Sequence, residues 1–124
     1  MSKYDFTFDP PAPVIDVEVV NRLTGEVVQL RGQIDTGSSI SAIPHSTVQA
    51  MGLTPGTFMD VRDFERTVRR VPIFVVTLRM YSVILINAET VGIERDDMLI
   101  GRDILEYFIL TLDGKRREFT MVDS

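Results

Sequence analysis

The sequence predicts a mainly β protein built as one small domain. Short runs rich in valine and isoleucine recur along the 124 residues, and turn-forming residues separate them. Segments with helical character are few and short. A composition of 44% apolar and 25% charged residues is typical of a globular chain that buries one modest core.

The domain is predicted at residues 14–124, after an extended N-terminal arm at residues 1–13. The arm alternates aromatic and polar residues before Pro10, Pro11 and Pro13. Proline lacks an amide donor and disfavours helix at the residue before it. The arm is therefore predicted to be extended.

A first hairpin is predicted at the start of the domain. Val14–Val20 and Val27–Ile34 are rich in β-branched residues, and a turn containing Gly25 joins them. The second of these strands ends directly before Asp35, so the hairpin delivers this carboxylate to a strand end.

The middle of the chain supplies further short elements. Their predicted bounds are Ile40–Ile43 for a short strand, Pro44–Met51 for a short helix that Gly52 ends, and Val71–Leu78 and Val83–Ile86 for two strands. Val71–Leu78 is apolar on both alternating faces and Val83–Ile86 is an apolar run, so we expect both to be buried strands.

The C-terminal part is predicted to contain a strand, one short helix and a hairpin. Met98–Gly101 forms the strand and Asp103–Tyr107 the helix. Phe108–Leu112 and Arg117–Val122 flank Asp113-Gly114, a strong hairpin signal.

Composition removes several classes of active site. The chain has no cysteine, which excludes disulfides, thiol nucleophiles and zinc-thiolate sites. Its one histidine, His45, follows Pro44 at a predicted helix start, where a surface or capping role is expected. Two lysines, Lys3 and Lys115, are present. Carboxylates are the most plausible catalytic groups, and no metal or cofactor is expected.

Charge and hydropathy exclude two kinds of binding partner. A net charge of −5 argues against nucleic-acid binding, since neutralising phosphates requires a positive surface. No apolar run approaches the ~18 residues of a membrane span, and the N-terminus lacks the pattern of a signal peptide. The sequence predicts a soluble, cytoplasmic protein with no membrane partner.

The acidic cluster Glu94, Asp96 and Asp97 is interpreted as an exposed loop, because no calcium-loop glycine accompanies it.

The segment Gln33–Ser39 carries the chemistry that the sequence suggests. Ile34 ends an apolar strand, Asp35 follows, and the next residues are small or hydroxylated. Loops held by a rigid scaffold often carry catalytic groups. An ordinary turn closing a hairpin explains the tripeptide Asp-Thr-Gly equally well when it is read alone.

A second segment favours the catalytic interpretation. Asp97–Leu105 places large apolar residues and a glycine before Arg-Asp. Together the two segments resemble those of the retropepsin-like aspartic proteases, the clan of retroviral-type and pepsin-type enzymes. The resemblance spans residues 14–122.

The resemblance implies a small closed or partly open β-barrel with one short C-terminal helix, equivalent to half of a bilobal pepsin. Pepsins carry two Asp-Thr-Gly loops per chain, whereas this chain carries one. A homodimer would therefore supply the second carboxylate, and the N-terminal arm and Arg117–Val122 are the expected interface. The implied partners are a second copy and a peptide or protein substrate.

The resemblance also assigns roles to individual residues. Asp35 would be catalytic, and Thr36, Gly37 and Ser38 would support its loop. A structural motif behind the site is expected, formed by Leu99, Ile100, Gly101, Arg102 and Asp103. Several viral relatives have an aspartate where this chain has Ser39, so Arg102 is expected to find another partner.

Two further expectations concern the hairpin that covers the site and the pH range. Residues 58–74 should form this flap, but the stretch from Asp60 to Arg70 has no glycine and four arginines, which we interpret as a solvated face. Ser38 is expected to donate its hydroxyl to Asp35 and thereby to shift the active pH range toward acid.

Two functions remain open. The first is an aspartic endopeptidase in which two Asp35 carboxylates activate a water molecule. The alternative is a catalytically silent module with the same scaffold that dimerises or binds peptides, because a fold does not guarantee activity. An unrelated small β-barrel interaction domain would require both motifs to be coincidental.

Overall fold

The computed structural model describes residues 1–62 and 65–123, in which the chain forms ten strands and two short helices. The strands are β1 (Ser2–Lys3), β2 (Val14–Val20), β3 (Val27–Ile34), β4 (Ala42–Pro44), β5 (Thr57–Arg62), β6 (Val68–Met80), β7 (Val83–Ile93), β8 (Met98–Ile100), β9 (Ile109–Asp113) and β10 (Glu118–Val122). The helices are α1 (His45–Ala50) and α2 (Arg102–Leu105).

Six strands close into a barrel, which confirms the predicted mainly β barrel. The strands neighbour one another in the order β2, β3, β8, β4, β7 and β6, and β6 also pairs with β2. The closure removes most free sheet edges. β5 extends this sheet beyond β6.

The first hairpin is confirmed with the predicted bounds. β2 and β3 pair in register from Val14 opposite Gln33 to Val20 opposite Val27. Side chains of successive strand residues alternate between faces. Ile15, Val17 and Val19 accordingly enter the core, all at most 3% exposed.

Parallel pairing brings the two motif segments together. β3 runs parallel to β8, with Ile34 opposite Ile100, and β4 pairs with β8 through Ala42 and Leu99. Parallel neighbours end at the same edge of a sheet. Asp35 and Gly101, which follow the two strands, therefore lie side by side.

The two helices occupy nearly the predicted segments. α1 begins after Pro44, and Gly52 follows its end with a φ of 63°. That left-handed backbone suits glycine. α2 begins one residue earlier and ends sooner than predicted, because Gly101 already serves as its N-cap.

The expectation that Val83–Ile86 is a buried strand is wrong. The strand is present as part of β7, but Ile84 and Ile86 are 60% and 73% exposed. β6 pairs with one side of this segment. The other side has no strand neighbour within the described part of the chain.

Both termini meet in a second, three-stranded sheet. β9 and β10 form the predicted C-terminal hairpin, and β1 pairs with the outer side of β10. In the N-terminal segment, Asp5 bridges back to Ala12, and Arg31 of β3 holds the Asp5 carboxylate at 3.1 Å.

Neither of the helices described above is long and apolar enough to cross a membrane.

Candidate active site

Asp35 is held through its backbone at the end of β3. Its amide donates to the carbonyl of Ile100 at 2.9 Å, and its own carbonyl accepts from the Ser38 amide at 3.2 Å. The side chain is half-buried, and its Oδ1 accepts the Gly37 amide at 3.1 Å. The backbone that carries the carboxylate is thus fixed, and the carboxylate itself is partly accessible to solvent.

Ser38 does not contact Asp35 through its hydroxyl, contrary to the sequence-based expectation. Its Oγ donates to the Ile40 carbonyl at 2.7 Å. A hydroxyl has one proton to donate. The proton that was expected to stabilise the charged Asp35 is therefore used within the loop, and the predicted acid shift loses its physical basis.

A buried serine that the sequence interpretation missed connects the two motif segments. Ser41 is fully buried; its Oγ donates to Oδ1 of Asp103 at 2.7 Å and accepts the Gly101 amide at 2.8 Å. Its own amide donates to Oδ2 of Asp103 at 3.1 Å. The only sequence signal was a small polar residue inside the apolar run Ile40–Ile43, where a buried hydroxyl needs a partner.

Gly101 lies where no side chain fits. A Cβ at this position would lie 2.9 Å from the Ser38 carbonyl oxygen and 3.0 Å from the Ile40 carbonyl carbon. Its φ of −91° and ψ of −178° are extended and open to any residue. The requirement for glycine is therefore steric: it lets β8 approach the backbone of the loop after Asp35.

Arg102 closes the loop from outside. Its amide donates to the Ser38 carbonyl at 2.8 Å, and its Nη1 donates to the Thr36 carbonyl at 2.7 Å. With Ser39 in place of a carboxylate, the guanidinium thus uses a backbone partner, as the sequence led us to expect. Thr36 itself is exposed, as is Gly37.

The segment expected to cover the site is a hairpin. β5 and β6 pair from Thr57 opposite Ile73 to Arg62 opposite Val68. Most of its side chains are exposed, and the Arg70 guanidinium lies 5.1 Å from the Phe58 ring centre. Asp63 and Phe64, which belong to the expected glycine-free tip, lie outside the described residues.

The other ionisable candidates lie at the end of β7 and at the start of α1. Glu94, Asp96 and Asp97 follow β7 in a loop that is mostly exposed, as predicted. His45 opens α1, with its Nε2 at 3.8 Å from Glu94. No group of three metal-ligating side chains is found among residues 1–62 and 65–123.

Comparison with known proteins identifies the architecture. No model of a protein family matches the sequence, and no curated protein matches it either. Solved structures do match. The solution structure of simian foamy virus protease has a TM-score of 0.59 at 15% identity, covering 77% of this chain and 93% of that one.

Two cellular proteins give similar matches. A retropepsin-like aspartic protease from Rickettsia conorii has a TM-score of 0.54 at 18% identity, covering 91% of this chain and 95% of that chain. The retroviral protease-like domain of Ddi1 from Leishmania major has a TM-score of 0.52 at 14% identity, covering 98% and 89%. This chain therefore has the fold of the retropepsin-like aspartic proteases.

Proposed function

We propose that the chain is an aspartic endopeptidase that hydrolyses peptide bonds as a homodimer, each subunit contributing Asp35. The observation that carries the proposal is the placement of this carboxylate. Its backbone is bonded to β8 and to its own loop, while its side chain stays half-exposed. General acid–base chemistry requires a carboxylate that is held in position and has an oxygen accessible to the substrate.

The chemistry requires a second carboxylate. A carboxylate with an ordinary pKa is a weak base at neutral pH, but two of them about 3 Å apart repel by roughly 5 kcal/mol at an effective dielectric near 20. Such a pair shares one proton, as is known for aspartic proteases in general. The sequence has the Asp-Thr-Gly tripeptide once. A two-fold axis beside Asp35 would supply the partner.

The reaction then proceeds without a covalent intermediate. The charged carboxylate takes a proton from water as the water oxygen bonds to the carbonyl carbon, and the neutral partner gives its proton to the carbonyl oxygen. The first carboxyl then passes its proton to the amide nitrogen, and the C–N bond breaks. The carbon then carries two hydroxyl groups, and one of their protons returns to the dyad. The dyad is therefore singly protonated again when the acid and the amine leave.

The arrangement of the terminal sheet favours β9 in the dimer interface. The sequence suggested the N-terminal arm and Arg117–Val122, but β1 and β10 pair with each other within one chain. β9 and the two-residue β1 are the edge strands of this sheet, and β9 has Ile109 and Leu112 59% and 44% exposed. Pairing between two copies of β9 would continue the sheet across the axis.

The β5–β6 hairpin is proposed to cover the bound peptide. It projects from the barrel beyond β6 and packs few of its side chains. Segments that open and close are drawn from the less stable parts of a structure. The weakly packed hairpin is therefore suited to opening and closing over a bound peptide, unlike the tightly bonded Asp35 loop.

The decisive test is Asp35→Asn assayed on a peptide library. The amide keeps the size of the side chain but cannot act as the base, so hydrolysis should fall by about a thousandfold or more. Thermal stability should stay close to that of the wild type. Asp96→Asn, in the exposed loop after β7, is the matched control and should stay active. Undiminished hydrolysis by Asp35→Asn would contradict the mechanism.

Concentration dependence tests the homodimer. Half of the dyad is inert, so specific activity should rise with protein concentration through the dimer dissociation constant. Sedimentation at the same concentrations should show the dimer. An active monomer would exclude this arrangement. A stable dimer that hydrolyses no peptide would favour the silent module instead.

A further inference from the structure

One edge of β7 is unpaired next to a groove. β6 pairs with β7 from Val83 to Thr90, whereas β4 reaches the other side of β7 only at Val91–Ile93. Over the described part of the chain, no strand pairs with that side of residues 83–89. Free backbone groups at a sheet edge can accept an added strand.

The groove has the size of a binding site. It encloses about 560 Å³, and the consecutive residues 84–89 of β7 form one wall. Ile104 and Tyr107 line it from the side of α2, and Met59 lines it from β5. Pockets that bind small ligands typically measure roughly 300–1,000 Å³. Ser39 and Ile40 of the Asp35 loop also line it, whereas Asp35, Thr36 and Gly37 do not.

The groove gathers large apolar side chains that the chain does not cover. Ile84, Ile86 and Tyr107 are 60%, 73% and 52% exposed. The run Val83–Ile86 has the composition of a buried strand, yet it lies at the surface. Exposed apolar residues gathered in a concave site mark a binding surface.

The charged side chains that line the groove are both acidic. Among the described residues these are Glu89 and Asp103, while two arginines contact lining residues from outside, Arg22 at Asn87 and Arg70 at the Phe58 ring. Asp103 already accepts bonds from Ser41 and from the Ile104 amide. Glu89 is exposed and forms no ion pair with the described residues, so it is available to a cation on a partner.

The backbone limits how long a paired segment can be. β7 has an irregular register opposite Val76–Leu78, and Asn87 has a φ of 59°. A bulge bends a strand and interrupts regular pairing. Pairing is therefore confined to a few residues, which suits a short linear segment.

We propose that this groove binds an extended segment of another protein that carries apolar side chains and a lysine or arginine. The segment pairs with the free edge of β7, places its apolar side chains against Ile84, Ile86 and Tyr107, and places its cation at Glu89. This binding does not use Asp35, so it stands or falls independently of the proposed hydrolysis.

The test measures fluorescence anisotropy of a short labelled peptide in which valine and lysine alternate. Asp35→Asn protein is used so that no peptide is cleaved. The valine–lysine peptide should bind at least about tenfold more tightly than a peptide in which valine and glutamate alternate. Ile86→Asp should weaken binding by a similar factor, because it places a carboxylate in the apolar contact.

Two controls match the variants. Leu23→Asp makes the same type of change at a residue that is 85% exposed in the β2–β3 turn, and it should bind normally. Glu89→Lys should reduce or reverse the preference for the lysine peptide. Glu26→Lys, in the same turn as Leu23, changes the net charge equally and should keep the preference.

Three results would overturn the proposal. The first is equal binding of both peptides, and the second is an equal loss in Glu89→Lys and Glu26→Lys, which would mean attraction to net charge alone. In the third, Ile86→Asp dissociates a dimer in sedimentation while neither peptide binds to the parent protein. The groove would then be an interface between two copies of this chain.

Discussion

The Asp35 loop and the β5–β6 hairpin contribute residues to the same groove but are stabilised in opposite ways. The loop is bonded to β8 and α2 through the buried Ser41 and Gly101 and the partly buried Asp103. The hairpin is mostly exposed and is held by pairing between its own two strands. The comparison indicates that the proposed catalytic group is positioned before substrate binds, whereas the hairpin that we propose as its cover is held less tightly.

Gly101→Ala should cause the largest change, because it forces the two halves of the loop apart. The new Cβ would meet backbone atoms of Ser38 and Ile40 at 2.9 and 3.0 Å. Overpacking of this kind costs about 3 kcal/mol, measurable by urea unfolding, and peptide hydrolysis should be lost as well. Gly114→Ala, with nothing within 4 Å of its Cβ, is the control and should be neutral. An active, stable Gly101→Ala protein would show that the loop is more adaptable than the structure indicates.

Ser41→Ala should come next in size. It removes the acceptor of the Gly101 amide and one of three donors to Asp103, so the buried Gly101 amide loses its partner. The free energy of unfolding should fall by about 2 kcal/mol in chemical denaturation. Ser39→Ala changes an exposed serine in the same loop and should cost less than about 0.5 kcal/mol. Equal effects of the two substitutions would mean that the network contributes nothing special.

Phe58→Leu should have a small effect, since it lies in the hairpin. The ring is half-exposed and contacts the Arg70 guanidinium. An exposed contact of this kind contributes about 0.5–1 kcal/mol, which sets the expected loss in thermal unfolding. A loss as large as that of Ser41→Ala would show that the hairpin is as tightly held as the loop, and the contrast would fail.

Asp5→Asn should change stability the least. Its effect should be seen near neutral pH and disappear in acid. Hydrogen bonds from the hydroxyl and the amide of Thr7, followed by the Arg31 guanidinium, hold the pKa of Asp5 below its usual range. The unfolded chain therefore binds the proton more readily, and Asp5 stabilises the fold above its ordinary pKa of about 3.9. This contribution is lost as the pH falls through the lowered pKa.

The measurement is the thermal midpoint of wild type and Asp5→Asn across the acid range. The wild type should be the more stable of the two near neutral pH, and the two midpoints should converge as the pH falls below the ordinary carboxyl range. Asp9→Asn, an exposed residue of the same N-terminal segment, should show no such convergence. A difference between wild type and Asp5→Asn that persists in strong acid would contradict this account.

The sequence alone determined where the first hairpin forms and that it ends at Asp35. β-branched runs separated by glycine and proline specify extended backbone locally, so β2 and β3 were predicted with the bounds that the structure shows. Family resemblance suggested that Asp97–Leu105 lies behind the Asp35 segment, and in the structure β8 of this stretch runs parallel to β3.

Only the tertiary structure decided which hydrogen bonds form and which faces stay uncovered. The Ser38 hydroxyl donates to the Ile40 carbonyl and not to Asp35, and the Ser41 hydroxyl donates to Asp103, 62 residues away in sequence. The partner of a hydroxyl depends on angles and distances that packing sets. The exposure of Ile84 and Ile86 has the same origin. An apolar run specifies that a strand can be buried, but whether another element covers it depends on how the barrel closes.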